Sequence, residues 1–143
     1  MNQRQPKPTL AIDGARFEAL AAHIDRLLDD ETGCPWDRKQ TAETLADMLH
    51  KETDELIEAL RKDDAANSIE ETGDLLMLMC MILAKLKARY AIDPNAAIDG
   101  IIEKIIRRHT WIFGDDAGKV KTPEDAERVW AENKKKEKAA APE

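Results

Sequence analysis

EETGDLLMLMCMILA, residues 70–84, is the stretch whose reading decides the fold. From Leu75 to Ala84 it is apolar at every position, which on a helix means apolar on nearly every face and marks a segment buried against several neighbours. Such a helix belongs at the centre of its fold. Working back from it, Asn67 is a candidate N-cap with Glu70 as its reciprocal partner three residues on, and the helix runs to about Tyr90. A polar break at Lys62 to Ala66 separates it from an amphipathic helix over about Thr41 to Arg61. Before that, Phe17, Leu20, Ile24, Leu27 and Leu28 recur at helical spacing, and Gly33 with Pro35 ends the segment. Beyond the central helix, Asp93-Pro94 is a cap followed by Pro at the first helical position, opening a fourth helix through Ile98, Ile101, Ile102, Ile105 and Ile106. Gly114 to Gly118 is a loop. Thr122-Pro123-Glu124-Asp125 repeats the cap-then-Pro pattern with two acids in the first turn, so a short helix should carry Val129 and Trp130. The close, NKKKEKAAAPE (133–143), has no apolar face and is expected to fray.

No strand pattern, internal repeat or linker is visible. The expected fold class is therefore all-α: an antiparallel helical bundle of four main helices plus a short C-terminal helix. We expect a disordered lead-in over 1–13, one domain over 14–137 and a flexible tail over 138–143. With 143 residues the chain has room for one hydrophobic core. Its 22 Lys and Arg against 29 Asp and Glu give a net charge of −7, an unfavourable field for a nucleic-acid polymer. The longest apolar run is far short of the roughly 20 residues needed to cross a bilayer, and the polar start lacks a signal-peptide pattern. Cys34 and Cys80 have neither zinc-type spacing nor an evident disulfide framework. The expected location is the cytoplasm, with no membrane partner.

Within the Thr41–Arg61 segment, Leu45, Met48, Leu49, Leu56, Ala59 and Leu60 form one apolar arc, and Glu52 projects from its middle. Glu55, three residues on, sits at its margin. The central helix repeats the spacing with Glu71 and Asp74, whose stripe continues into Leu78, Met81 and Ile82. Successive helices joined by a short connection pack antiparallel, so the two pairs can meet in one cleft. Four carboxylates there would raise one another's pKa and need a counter-charge. Oxygen-only ligands suit a hard cation, foremost Mg²⁺ with Mn²⁺ as a substitute, which leaves positions for water and phosphate oxygens. The plain alternative is surface pairing with Lys51, Arg61 or other basic residues. A di-iron bundle would normally add Glu-x-x-His motifs, which the two helices lack.

GCPWDRKQT (33–41), ETDELIEAL (52–60), EETGDLL (70–76), the segment from Lys104 to Asp115 with its RRH and IFGD, and VWAENKKKE (129–137) resemble, in order, the motifs of the MazG family of nucleoside triphosphate pyrophosphohydrolases. The resemblance implies an all-α fold, a homodimer or homotetramer, and Mg²⁺-dependent cleavage of a nucleoside triphosphate to monophosphate and pyrophosphate by metal-activated water, a nucleotide-pool housekeeping reaction. It implies that Glu52, Glu55, Glu71 and Asp74 are the catalytic metal ligands, and that Lys104, Arg108, Trp130 and Lys134 hold substrate. The chain departs from the family at Lys51, where the usual EExxE has its first acid, and at Thr110 and Trp111, where RRHPHVFGD reads RRHTWIFGD.

Charge supports the same division of labour, because catalysis of phosphoryl chemistry is mostly positioning plus electrostatic relief. Lys104 and Arg108 share a helix face and can offer charge-assisted bonds to phosphate oxygens, while Arg107 is offset by about 60° and ranks lower. Trp36 either stacks on a base or pins its loop to the core, with packing favoured. Glu58 reads as solvent-exposed. The methionines read as packing atoms, and His23 and His109 have no evident metal-site partner. A catalytically silent helical oligomer, acting as a regulatory or scaffold protein, is the alternative reading.

Overall fold

The computed structural model describes residues 9–141, and every regular element among them is a helix. These are α1 (Gly14–Leu27), α2 (Pro35–Lys39), α3 (Ala42–Arg61), α4 (Ala65–Tyr90), α5 (Asn95–Arg108), α6 (Thr110–Phe113) and α7 (Pro123–Ala140). Residues 1–8 of the expected lead-in and 142–143 of the expected tail lie outside the described residues. No described helix is long and apolar enough to cross a membrane.

The contacts divide the chain into two compact units, one ending at Ile92 and one beginning at Asp93. In the first, α3 and α4 form an antiparallel hairpin, and α1 packs on α4. Local chemistry sets the hairpin's ends. Thr41 and Thr44 cap α3 reciprocally, each side chain taking the other's backbone N–H. α4 starts two residues before the expected Asn67 cap, because the Asp64 carboxylate accepts from the Asn67 N–H and so caps the helix itself. At the far end of the hairpin, Arg89 grips Glu43 with two bonds of 2.7 and 2.8 Å. Those bonds hold the Glu43 carboxyl well below its ordinary value of 4.5, at about 2. A carboxyl lowered in the folded state stabilises above its unfolded pKa and stops doing so as pH falls through its folded one. Glu43→Gln is therefore expected to lower the melting temperature slightly at pH 7, and the gap from wild type should close between pH 4.5 and about 2. Parallel melting curves that keep a constant gap would contradict this.

The core joins the three long helices through Ile24, Leu45, Leu78 and Met81, with Leu20, Leu27, Leu28, Met48, Leu49, Met77, Cys80 and Ile82 around them. α4 is central to this unit, as its composition predicts, but it is not covered on every face. Leu76 and Met79 are 45% and 48% exposed, since α1 and α3 cover only part of its circumference. Leu60, placed on the buried arc by periodicity, is also exposed, lying in the last turn of α3. Between α1 and α2, Gly33 passes so close to the backbone of Leu27 and Asp29 that a Cβ would lie 2.5 Å from both carbonyl oxygens. Only glycine fits that turn.

In the second unit α7 packs on α5. Thr122 and Asp125 form its capping box, as the cap-then-Pro pattern predicts. It is not short: 18 residues long, it continues through the lysine-rich segment to Ala140, because Ala, Lys and Glu are strong helix formers. The expected apolar face of α5 is present as a sequence pattern, yet Ile98, Ile101, Ile102, Ile105 and Ile106 are each more than 40% exposed.

Candidate active site

A hydrophobic layer sets the register of the α3–α4 hairpin, and the register sets the acids. Leu45 of α3 and Leu78 of α4 lie in one core cluster. Glu52 follows Leu45 by two helical turns, and Glu71 precedes Leu78 by two. In an antiparallel pair those steps run in the same direction, so the two glutamates arrive side by side. The structure shows the result: carboxylate oxygens of Glu52, Glu55 and Glu71 all lie within 4.8 Å of one another. Asp74 is half-buried and near enough for its charge to act on Glu71, but it is not one of that group of three. One turn beyond Glu71, it lies on the Leu49 side of the cluster, whereas Glu55 lies toward the hairpin turn.

Glu71 is the buried member, 7% exposed, and its Oε2 has no hydrogen-bond partner. Burial, then the adjoining Glu52 carboxyl, then the charges of Glu55, Glu52 and Asp74 push its pKa above the ordinary carboxylate range. A buried carboxylate with an orphaned oxygen, set beside other carboxylates, calls for a cation. The residues fit a hard divalent ion: every donor is oxygen, and oxygens on one ion with bonds of about 2.1 to 2.5 Å lie about 3 to 3.5 Å apart when adjacent and about 4.2 to 5 Å apart when opposite, so carboxylates grouped within 4.8 Å need close only slightly on a shared ion. Lys51 supplies part of the missing charge, its Nζ 3.3 Å from a Glu55 oxygen, but both side chains are substantially exposed, so this pair is weak. Glu58 is likewise exposed and pairs with Lys62.

The other candidates are placed as follows. Trp36 begins the second position of α2 with its side chain 51% exposed, so it does not pin the loop to the core as favoured from sequence. That anchoring falls instead to Gln40, buried and bonded to the Trp36 carbonyl and the Thr44 hydroxyl. In the second unit Lys104 is exposed on α5. Arg108 and Lys134 both sit over the Trp130 ring, 5.0 and 5.3 Å from its centroid. Three of the four substrate-holding residues implied by resemblance are thus one cation–aromatic cluster.

Sequence reasoning missed three residues of that cluster's surroundings. Glu137 takes side-on bonds from Arg108 and one of 2.8 Å from Arg107, which reaches it despite its offset on α5. Buried Asn133 donates to the Arg108 carbonyl and to Thr110 Oγ1, and that hydroxyl donates to Asp116 at 2.6 Å. Thr110 is therefore a structural link between α6, α7 and the loop after Phe113. In sequence, only the i+3 and i+4 relations of Asn133 and Glu137 to Trp130 and each other hinted at a shared face.

Residues 40–113 match the family model described as the MazG nucleotide pyrophosphohydrolase domain, a span that includes all four acids. The chain is 39% identical over 105 residues to the nucleoside triphosphate pyrophosphohydrolase/pyrophosphatase MazG of Thermotoga maritima, covering 73% of this chain and 41% of that protein. It is 38% identical over 117 residues to the uncharacterized protein YabN of Bacillus subtilis, covering 80% of this chain and 23% of YabN. The chain thus spans less than half the length of these relatives. A crystal structure of a mazG-related protein from Thermotoga maritima superposes with a TM-score of 0.70 at 38% identity, covering 82% of this chain and 98% of that one. On this agreement of domain match, fold and acid-bearing hairpin, the chain belongs to the MazG nucleotide pyrophosphohydrolase domain family.

Proposed function

We propose that the chain is a Mg²⁺-dependent nucleoside triphosphate pyrophosphohydrolase, taking ribo- or deoxyribonucleoside triphosphate and water to the monophosphate, pyrophosphate and a proton. The observation that carries the proposal is the trio Glu52, Glu55 and Glu71, whose buried member Glu71 has an oxygen with no hydrogen-bond partner. When bound, the ion would supply positive charge against the phosphate oxygens and acidify a water. The carboxylates' own task is to fix the ion's position, with Asp74 adding charge beside Glu71. Arg108, Lys134 and exposed Lys104 would hold phosphate oxygens by charge-assisted bonds, and half-exposed Trp36 offers a stacking face for the base.

The names of the family and of the Thermotoga maritima relative support this reaction. We place it in the cytoplasm as nucleotide-pool housekeeping, performed by a homodimer or homotetramer with no nucleic-acid polymer or membrane as partner. The isoleucine face of α5 and the uncovered Leu76 and Met79 support the oligomer, since so much exposed apolar surface marks association. One observation favours the silent-scaffold alternative, the Lys51 ammonium already paired with Glu55.

The test is to incubate the purified chain with Mg²⁺ and a panel of nucleoside triphosphates and to resolve the products by ion exchange, alongside Glu52→Gln. Monophosphate and pyrophosphate from wild type, with the variant slowed on the order of a hundredfold, is the expected result. Equal rates in a correctly folded variant would sink the proposed centre. No turnover, together with no Mg²⁺-dependent rise in melting temperature, would establish the scaffold.

A further inference from the structure

We infer that Glu137 is a built-in competitor at the cationic cluster of the second unit: its carboxylate occupies the arginine edge that a polyphosphate takes, and so sets how tightly that anion is held. The inference rests on the reading above of Arg108 and Lys134 as phosphate-holding residues, and concerns what stands against them.

The geometry is that of an anion already bound. Glu137 Oε2 lies 3.0 Å from Arg108 Nη2 and 3.2 Å from its Nε, while Oε1 lies 2.8 Å from Arg107 Nε. A guanidinium meets carboxylate and phosphate with the same planar fork, so this edge of Arg108 can serve only one of them at a time. Arg108 has little else to offer. Its side chain is 15% exposed and its flat face lies against Trp130, beside Lys134 on the same ring. Arg107, Arg108 and Lys134 would repel one another without a counter-ion, and Glu137 is the carboxylate bonded to both arginines.

Glu137 could instead merely orient the arginines, and the two roles predict opposite signs. Ordering two side chains favours anion binding modestly. A fixed negative charge a few Å from a multiply charged anion opposes it more strongly, away from bulk water. Competition therefore outweighs orientation. The two arginines hold the Glu137 carboxyl at about 2, so the competitor is permanent across the working pH range.

Titration calorimetry of the full chain with inorganic pyrophosphate, without divalent metal, tests this. Glu137→Gln is expected to bind pyrophosphate on the order of tenfold more tightly than wild type. Glu132→Gln, which removes an exposed acid from the same helix, should stay within about twofold. In the Mg²⁺ assay the Glu137 variant should show a lower KM. Unchanged or weaker pyrophosphate binding by folded Glu137→Gln overturns the inference, as does equal tightening in Glu132→Gln or no binding by any of the proteins. Should Glu137→Gln fail to fold, Glu137→Asp, one methylene too short to reach Arg108 side-on, carries the test: tighter binding supports competition and unchanged or weaker binding refutes it. Tightening by Glu137→Gln in a protein that hydrolyses no nucleotide leaves the competitor standing and removes the hydrolase reading.

Discussion

Glu71→Gln is expected to lose on the order of a hundredfold or more in kcat/KM for nucleoside triphosphate and, in the presence of chelator, to melt a few degrees higher than wild type. The two effects have one cause. Glu71 is the buried acid of the trio, and its Oε2 has no hydrogen-bond donor. An amide of the same shape brings two N–H donors to that place and removes one negative charge, so the metal-free fold gains. The same change removes a ligand of the proposed divalent ion, so on that proposal wild type should be stabilised by Mg²⁺ and the variant should not. The pH dependence follows from sign. A carboxyl whose pKa is raised in the folded state costs stability as pH climbs from its ordinary value of 4.5 through the raised one. The variant's advantage should therefore be small in acid and full near neutrality. Thermal melts with chelator or Mg²⁺ at pH 4 and pH 8, beside the product assay, check all three statements. A variant that melts lower in chelator, or that turns over substrate at the wild-type rate, contradicts the metal centre.

Local patterns carried much of this centre in the sequence. The α3 boundaries follow from an amphipathic run and the polar break after it, and Glu52 stands out because it breaks an apolar arc. The partner acids followed from repeated three-residue spacing, with Glu71 and Glu55 brought to Glu52 as expected. That spacing treats Glu55 and Asp74 alike, however, and only the antiparallel register separates them, since they extend from the Glu52–Glu71 level in opposite directions. α2 and α6, with five and four residues, are too short to show a helical period. Exposure was hardest to read. An all-apolar helix says that it needs neighbours, not how many this chain supplies, so the open faces at Leu76 and Met79 were illegible. Glu137 lay hidden for another reason: amid lysines it reads as a solvated helix residue, and its arginine partners are about thirty positions away.

Leu45→Ala is expected to destabilise the protein by about 2 to 5 kcal/mol, the cost of removing a fully buried leucine and leaving a cavity its neighbours only partly fill. Against a typical domain stability of about 5 to 15 kcal/mol this is a large fraction, yet it should leave a folded population at 25 °C. Denaturant unfolding would measure it, with Leu45→Met, which nearly conserves volume, expected to cost less than about 1.5 kcal/mol. The consequence for function is separable from the loss of stability. Leu45 and Leu78 share the layer that holds α3 against α4, and Glu52 and Glu71 stand two turns away along those same helices. A carboxylate cage requires its ligands held to within about half an ångström, so slack in the leucine layer should reach the proposed metal centre. The folded fraction of Leu45→Ala is thus expected to bind Mg²⁺ more weakly than wild type, whereas Leu45→Met should bind it nearly as well. Val129→Ala, a comparable truncation of a buried residue in the second unit, should lower stability and leave metal affinity unchanged. Equal metal affinity in folded Leu45→Ala and wild type would mean that the carboxylates are held by their own helix turns alone, and that the hairpin's register has slack to spare.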